Sequence, residues 1–501
     1  MGTLARIVLV LLSSSLVIAG EFQTGQAARA VIGQSSFSSH DVGILATALS
    51  TAGGKLFVAD STQQIFTFDL TQIPDPKDDL DGSSSPCAVC GFSPATSVHE
   101  PVMPGIAAVS VWGRSLTVAD PVNHRVLIWR DTAKIGSETT PDVVLGSASF
   151  AGGSTAGSSL ASPVSVAFDG KHLFVGDGAL HRVLVWDGLP SGDNQPPAVI
   201  LGQGGIASAL DGERVGSDMV GVPGALASDG TNLFVADTAN RRILVFSPGD
   251  MALASNQLTN SATLQPGVFA SGSLVSLRGN NFADENEAAP DDAHGLPRKL
   301  AGVKVLLNGS AIPLTFAGPA EVRAQLPYNL GNGSASVYVR MEHADGSVTT
   351  TNAIGVRLVT AAPGIFAFGG SEPRGGIVLH SADGNGKGTP VTDADPAKPG
   401  EIITVWATGL GAVEDDPESP VSAGEAYDGG DLSVLNPVRA SIAGRPAEVL
   451  SASLPKGSLG IYEIRIHLPP DLSADRKTPL FISQAGSTSN TVTFASGNTI
   501  Q

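Results

Sequence analysis

The sequence predicts an all-β protein, with a small four-bladed β-propeller followed by two β-sandwich units. Three observations lead to this prediction. The chain of 501 residues contains 60 glycines and 33 prolines, above average usage, and both residue types favour turns between short strands over helix interiors. A segment rich in β-branched residues recurs four times in the first half of the chain. A different strand pattern occurs twice in the second half.

The first element, residues 1–20, is typical of a secretory signal peptide. Arg6 precedes an apolar run of 12 residues, Ile7–Ile18, which is followed by the small residues Ala19 and Gly20. At 1.5 Å per residue the run is too short for a bilayer core of about 30 Å. We therefore expect cleavage after Ala19 or Gly20 and a mature chain without a transmembrane segment. Its expected location is secreted, periplasmic or at the cell surface.

The second element, about residues 28–250, contains four copies of one repeat. Each copy has a strand ending in Asp: Leu56–Asp60, Leu116–Asp120, Leu173–Asp177 and Leu233–Asp237. Each continues with a second apolar strand: Gln64–Phe68, Arg125–Trp129, Arg182–Trp186 and Arg242–Phe246. Preceding strands are expected at Ile44–Ala48, Ala107–Val111, Val164–Phe168 and Gly224–Ala227, and following strands at Cys87–Gly91, Asp142–Gly146 and Ala198–Gly202. Four antiparallel strands per repeat predict a propeller blade, because stacked blades cover one another.

The ends of the repeat region complement each other. Arg29–Gly33 has the pattern of a fourth strand with no blade before it, and the last copy stops at Phe246 without a fourth strand. We expect Arg29–Gly33 to pair with Arg242–Phe246 and to close a ring of four blades. The alternative is a partial ring that completes itself by dimerisation.

The repeat resembles the NHL repeat. The resemblance rests on Leu233–Phe246, on Val199–Gln203 and on Val31–Phe37, which are similar to the strands and linking loops of secreted bacterial NHL proteins. It implies a β-propeller that serves as a binding platform. Some related propellers are metal-dependent lyases or hydrolases, so the fold by itself leaves the function open.

The third element, about residues 263–496, reads as two sandwich units, 263–361 and 362–496. Pro266–Phe282 and Pro399–Gly411 open the two units in the same way. Short strands then follow in the same order in each unit, which indicates an internal duplication. Ala362–Phe366, Ala397–Ile402, Ala407–Gly411 and Thr488–Asn490 resemble an uncharacterised C-terminal domain found in secreted proteins of soil bacteria, whose halves are similar to TIG-type Ig-like domains.

The two cysteines, Cys87 and Cys90, do not have the pattern of a haem, zinc or redox site. Gly91 stands where a haem motif needs His, and no further ligands of zinc spacing follow. Cys90 falls where other copies of the repeat have Leu or Ile, so we expect structural cysteines. In a regular strand the two side chains point to opposite faces, and an intrachain disulfide is not expected.

Several carboxylates and histidines are candidate metal-binding or catalytic groups. The repeated Asp60, Asp120, Asp177 and Asp237 could surround an axial calcium, but each can also accept backbone N–H groups of its own turn, and Arg125, Arg182 and Arg242 offer nearby partners. His124 and His181 occupy one repeat position and are expected in turns. Further turns or solvated loops are expected at Asp383–Gly388, Asp284–Glu287, Asp291–Asp292 and Glu414–Asp416.

The composition and the missing motifs limit the function. A net charge of −18 disfavours a nucleic-acid partner, and no catalytic or cofactor motif is found in a suitable context. We therefore expect an exported, non-catalytic binding protein whose propeller face meets a protein, a peptide or a glycan. The Ig-like pair would act as a spacer or an envelope attachment. The alternative is a propeller hydrolase or lyase with a metal at the axis.

Overall fold

The computed structural model describes residues 21–34, 36–38, 45–52, 55–60, 64–73, 76, 96–99, 108–121, 123–131, 140–146, 160–202, 216–290, 295–381, 388–414 and 421–497. This part of the chain is all-β, as predicted, and contains no α-helix. No helix in these ranges is long and apolar enough to cross a membrane. The predicted signal peptide, Cys87, Cys90 and residues 383–387 lie outside the described residues.

The repeat region forms four four-stranded antiparallel sheets. Sheet I contains β2 (Ala46–Ala52), β3 (Lys55–Asp60), β4 (Gln64–Asp69) and β5 (Thr96–His99). Sheet II contains β6 (Val109–Trp112), β7 (Ser115–Asp120), β8 (Arg125–Trp129) and β9 (Val143–Leu145). Sheet III contains β10 (Pro163–Phe168), β11 (His172–Asp177), β12 (Arg182–Asp187) and β13 (Val199–Leu201). Sheet IV contains β14 (Pro223–Ser228), β15 (Leu233–Asp237), β16 (Arg242–Phe246) and β1 (Ala30–Ile32).

The fourth strand of sheet I differs from the prediction. The strand that pairs with β4 is Thr96–His99, with Ile65 opposite Val98. The expected strand Cys87–Gly91 is therefore not the one in this position. Val98 is a β-branched residue and takes the pairing position that the repeat alignment had assigned to the cysteine segment.

The N-terminal strand completes sheet IV, as the sequence predicted. β1 pairs antiparallel with β16, with Ala30 opposite Val245 and Ile32 opposite Ile243. Gly33 follows β1 with a φ of 88°, and the glycines after β9 and β13, Gly146 and Gly202, both have a φ of 87°. This left-handed conformation is available to glycine at little cost. β1 therefore ends with the same backbone turn as the fourth strands of sheets II and III.

Three apolar cores join the four sheets in the order II, III, IV, I. The first contains Val126 and Leu173 of sheets II and III. The second contains Phe174 and Val235 of sheets III and IV, and the third joins sheet IV to Val58 and its neighbours in sheet I. Within the described ranges, no such core joins sheet I to sheet II. The predicted pairing of β1 is thus present, whereas closure of the ring between these two sheets remains a prediction.

Three hydrogen bonds join the first strands of neighbouring sheets, one between each pair in the order II, III, IV, I. Ser110 Oγ in β6 accepts from the backbone N–H of Phe168, at 2.9 Å. Ser165 Oγ in β10 donates to the carbonyl of Pro223, at 2.6 Å, and Thr51 Oγ1 in β2 donates to the carbonyl of Ser228, at 2.6 Å. The first strands therefore lie side by side, and the turns that follow them collect at one end of the four sheets.

The second half of the chain forms three further sheets. Sheet V has the order β17 (Leu258–Asn260), β19 (Leu274–Arg278), β24 (Glu321–Gln325), β23 (Leu314–Ala317) and β20 (Glu287–Ala288). Sheet VI contains β18 (Val268–Phe269), β27 (Ile354–Leu358), β25 (Gly333–Glu342), β21 (Val303–Leu307), β22 (Ser310–Ala311) and β26 (Val348–Thr350). One apolar core, which includes Leu277 and Val305, lies between these two sheets.

Sheet VII has 11 strands and a core of its own. Along its main path the strands are β28 (Gly364–Ile365), β31 (Ile402–Thr408), β35 (Tyr462–His467), β34 (Arg445–Leu454), β33 (Arg439–Ile442), β36 (Asp475–Gln484), β38 (Val492–Ser496) and β29 (Arg374–Gly375). The strands at its sides are β30 (Val378–His380), β32 (Leu432–Ser433) and β37 (Ser487–Thr488). Ile403 and Ile482, from distant parts of this sheet, share the core.

Candidate functional site

The repeated aspartates of sheets II, III and IV hold turns together. In sheet IV, Asp237 Oδ1 accepts from the backbone N–H of Gly221 at 2.8 Å, and Asp237 Oδ2 accepts from Arg242 Nε at 2.8 Å. Asp177 pairs with Arg182 and Asp120 with Arg125 in the same way. The structural role expected from the sequence is thus observed for these three; the side chain of Asp60 lies outside the described part.

The two repeat histidines connect neighbouring sheets. His124 and His181 have left-handed backbone conformations, with φ of 54° and 53°. Nδ1 of His124 donates to the carbonyl of Ala161, before sheet III, and Nδ1 of His181 donates to the carbonyl of Gly221, before sheet IV. The predicted turn role is therefore present, and each imidazole also links its sheet to the next.

A groove of about 870 Å³ lies at the end of the sheets where the turns after the first strands collect. All four sheets contribute to its lining, with Thr51 from sheet I, Trp112 from sheet II, Lys171 from sheet III and Asn232 from sheet IV. The groove continues past Ser247 to Thr350 at the edge of sheet VI. A groove that reaches over several separate turns, with both polar and apolar lining residues, suits a chain-like ligand better than a small enclosed one.

Trp112 is the main apolar feature of this groove. Its side chain is 53% exposed, and its ring packs edge-on against Phe168 with the centroids 6.4 Å apart. A Cβ added to Gly170 would lie only 2.7 Å from the indole, so the absence of a side chain there allows the ring to rest on the turn. The indole is therefore held in place while much of its surface faces solvent.

The charged groups that line the groove are largely compensated within the protein. Asp229 Oδ1 accepts from the backbone N–H groups of Thr231 and Asn232, at 2.9 and 2.6 Å. Asp250 Oδ2 accepts from the backbone N–H of Thr350 at 2.9 Å. Lys171 Nζ lies 2.9 Å from Glu21 Oε1. The groove therefore offers polar contacts without a strong charge of one sign.

Three residues at one side of the groove bring ligand atoms of metal-binding types together. The side-chain ligand atoms of Glu21, His172 and Asp187 all lie within 4.8 Å of one another. His172 Nε2 is 3.0 Å from Glu21 Oε2, and His172 Nδ1 is 3.7 Å from Asp169 Oδ2. His172 is buried, whereas Asp187 is exposed.

The electrostatics of this group favour charged side chains. Burial opposes the charged form of His172, but the nearby carboxylates of Asp169 and Glu21 outweigh it and raise the pKa of the imidazole above its usual value. Burial also opposes ionisation of Glu21, and the bonds from His172 and Lys171 outweigh it and lower the pKa of this carboxyl. The pKa of Asp169 is lowered in the same way by His172, Lys171 and Ser228. Without a metal, Lys171, Glu21, His172 and Asp169 form a network of ion pairs, to which Asp187 does not belong.

A second cavity of about 710 Å³ lies between sheet IV and the second half of the chain. Asp218, Asn332 and Arg357 are among its lining residues. Burial raises the pKa of the Asp218 carboxyl, although the charge of Arg242 opposes this. One carboxyl of this kind, without a second acid or base beside it, does not form a catalytic pair.

The acidic stretch that begins at Asp284 makes defined contacts. Asp284 Oδ1 lies 2.9 Å from His343 Nδ1, and Glu287 accepts from the backbone N–H of Ala301. Asp291, Asp292, Asp415 and Asp416 lie outside the described residues. These contacts secure loops and do not point to a cation.

Sequence reasoning missed the group of Glu21, His172 and Asp187. Glu21 and His172 are 151 positions apart, and neither belongs to a motif of metal-binding spacing. The one signal in the sequence was the position of His172, at the start of the repeated strand that ends in Asp177. The groove was missed for the same reason, because its lining comes from one turn of each sheet.

Comparisons with known proteins do not place the chain in a family. No family model and no curated protein matches it. Among solved structures, the computationally designed Ika4 protein aligns at 15% identity over 42% of this chain and 93% of its own, with a TM-score of 0.16. Fibronectin(III)-like modules of Clostridium thermocellum CbhA align at 11% identity over 48% and 92%, with a TM-score of 0.14. TM-scores this low do not indicate a shared fold or a shared function.

Proposed function

We propose that this chain is an exported, non-catalytic binding protein that holds its ligand in the groove at the end of sheets I–IV. The observation that carries the proposal is that each of the four sheets contributes to one groove, with Thr51, Trp112, Lys171 and Asn232. Binding sites are typically concavities with an apolar anchor and a few placed polar groups. Trp112 is the anchor, and the surrounding turns supply the polar groups.

The four sheets are proposed to be the blades of a small NHL-like propeller, about residues 28–250. The three cores in the order II, III, IV, I support a common axis. So does the completion of sheet IV by β1, because strands from both ends of a propeller region often share one blade. The Ig-like units, about 263–361 and 362–496, are proposed to act as a spacer or an envelope attachment, and residues 1–20 as the export signal.

The ligand class that the groove fits best is an uncharged glycan chain. A sugar ring stacks its apolar face on an exposed indole, and its hydroxyl groups bond to amide, hydroxyl and carboxylate side chains. Asn232, Thr231 and Asp229 supply such groups within the groove. A peptide with a strong charge of one sign would meet a mixed field, because the carboxylates of Asp229 and Asp250 line the same groove as the ammonium group of Lys171.

Calorimetric titration with a panel of neutral oligosaccharides tests this proposal. We expect Trp112→Ala to weaken binding at least tenfold, since a central aromatic anchor contributes about 2 kcal/mol or more. Phe368→Ala is the matched control, because this ring is 59% exposed and does not line the groove. The control should bind as the wild type does.

Three results would contradict the proposal. If Trp112→Ala left the affinity unchanged, the ligand would bind outside the groove. If charged peptides bound and no glycan did, the proposed ligand class would be wrong. Cleavage of a bound oligosaccharide, detected by chromatography of the products, would overturn the proposal of a non-catalytic function. It would favour the alternative of a metal-dependent hydrolase or lyase.

A further inference from the structure

We propose that Glu21, His172 and Asp187 bind one divalent cation of the zinc class, and that this cation fastens the N-terminal segment to sheet III. Their ligand atoms converge within 4.8 Å from three separate parts of the chain. This inference goes beyond ligand binding in the groove and holds whether or not a glycan binds there.

The backbone brings two of the three ligands together. His172 begins β11 and Asp187 ends β12, and the two residues are direct cross-strand partners. Side chains of such partners lie on the same face of a sheet with their Cβ atoms about 5 Å apart. The Asp187 carboxylate has no hydrogen-bond or ion-pair partner among the described residues, so it can turn toward a cation without breaking an existing contact.

Glu21 supplies the third ligand from the N-terminal segment. Its Oε2 atom is 3.0 Å from His172 Nε2, a separation that suits two ligands of one metal with bonds of about 2.0–2.1 Å. Its Oε1 atom is 2.9 Å from Lys171 Nζ. The lysine can remain on Oε1 as an outer partner while Oε2 binds the cation.

His172 has a carboxylate near its second ring nitrogen, at an ion-pair distance longer than a hydrogen bond. Metal-binding imidazoles usually offer their other nitrogen to a carboxylate, which sets the ring orientation. Asp169 Oδ2 lies 3.7 Å from His172 Nδ1, and Asp169 is itself held by the backbone N–H of His172 at 2.6 Å and by Ser228 Oγ at 2.8 Å. Phe22 packs edge-on against the imidazole with the centroids 5.5 Å apart.

The ligand set indicates the class of cation. Calcium and magnesium prefer oxygen ligands alone, whereas an imidazole nitrogen with two carboxylates suits zinc and related first-row cations. Three protein ligands leave a fourth position of a tetrahedral zinc site for water. This position would lie beside the groove that His172 also lines.

The cation would strengthen the attachment of β1. Glu21 starts the segment that leads through Phe22, which packs against Phe174 in sheet III, to β1 in sheet IV. A metal bond at Glu21 therefore links sheet III to the strand that completes sheet IV. Binding to the folded state alone raises the stability of that state.

The test is Zn²⁺ binding to the purified full chain after treatment with a chelator. We expect one equivalent of Zn²⁺ by elemental analysis and calorimetry, and a rise in Tm that EDTA reverses. Asp187→Asn changes an exposed side chain and should keep the fold, yet weaken Zn²⁺ binding at least tenfold and remove the rise in Tm. Asp169→Asn should weaken binding about tenfold to a hundredfold, as expected for an outer-shell partner.

Glu448→Gln is the matched control. Glu448 and His467 form a second carboxylate–histidine pair, at 3.3 Å, which is more exposed than Glu21 and His172 and belongs to no such group of three among the described residues. This variant should bind Zn²⁺ as the wild type does. Absence of stoichiometric binding, an unchanged affinity in Asp187→Asn, or an equal loss in Glu448→Gln would each overturn the site.

Discussion

At the scale of single residues, one ion pair recurs in three sheets with different burial. The arginine side chain is 12% exposed in Arg125, 6% in Arg182 and 0% in Arg242. Arg242 also donates to the carbonyls of Phe37, Gly216 and Met219, at 2.6, 2.9 and 2.7 Å. The same two residue types therefore range from a partly solvated pair to a fully buried network.

We expect Arg242→Met to destabilise the chain much more than Arg125→Met. The first change leaves the buried carboxylate of Asp237 without its cation and should cost about 3–5 kcal/mol, whereas the second should cost about 1 kcal/mol. Urea unfolding, monitored by tryptophan fluorescence, measures the free energy of unfolding of both variants. Equal losses would show that burial does not determine the strength of this pair.

Asp218 provides a prediction about pH. Burial raises the pKa of its carboxyl above 3.8, so the folded state binds the proton more tightly than the unfolded state does. The stability from this group is full below the unfolded pKa, near 3.9, and is lost as pH rises through the folded pKa. Asp218→Asn should therefore resemble the wild type near pH 4 and become more stable than it at pH 7. A constant difference across this range, measured by Tm, would contradict the prediction.

At the scale of elements, β1 depends on a partner far along the chain. Val31 and Ile32 are buried and lie opposite Leu244 and Ile243 of β16. Without β1, the backbone groups and apolar side chains of β16 would form an open edge. The strand is short, yet it covers the last sheet of the repeat region.

Removal of residues 21–34 should cause aggregation. The matched control is a chain that begins at Glu21, which lacks only the predicted signal and keeps β1. We expect the control to be soluble and the shorter chain to form aggregates that light scattering detects, because an apolar edge strand pairs readily with other chains. A soluble, folded chain that begins at residue 35 would show that β1 is dispensable.

At the scale of the whole molecule, the four sheets differ in how they are covered. Sheets III and IV lie in the middle of the order II, III, IV, I and contribute to two cores each. β6 of sheet II lies at an end of this order, and its Val109 and Val111 are more than half exposed. A closed ring would place sheet I against this strand.

Hydrogen exchange should reflect this difference. We expect amides of β11 and β15 to exchange far more slowly than those of β6, because backbone bonds in doubly packed strands open only with large-scale unfolding. Mass spectrometry of peptides from each strand measures the rates. Equally slow exchange in β6 would mean that sheet I covers this strand in solution and would favour the closed ring.

Local patterns were sufficient to predict the all-β class, the positions of most strands in the repeats and the partner of β1. Each repeat carries its own turn residues and its own apolar strands, and Arg29–Gly33 matches residues 142–146 and 198–202 position by position. The role of the repeated Asp was also accessible, because an Arg partner lies five positions away in three of the four copies. The fourth strand of sheet I was misplaced, because Thr96–His99 has Val98 as its one apolar residue and lacks the apolar pattern of the other fourth strands.

The sequence by itself determined the strands and turns, since their periodicity and their Gly and Pro residues act over a few neighbouring positions. Only the tertiary structure decided which turns meet. Thr51, Trp112, Lys171 and Asn232 share a groove because the first strands of four sheets lie side by side. Glu21, His172 and Asp187 converge because the N-terminal segment crosses sheet III on its way to β16. Such contacts join residues far apart along the chain, and no local spacing encodes them.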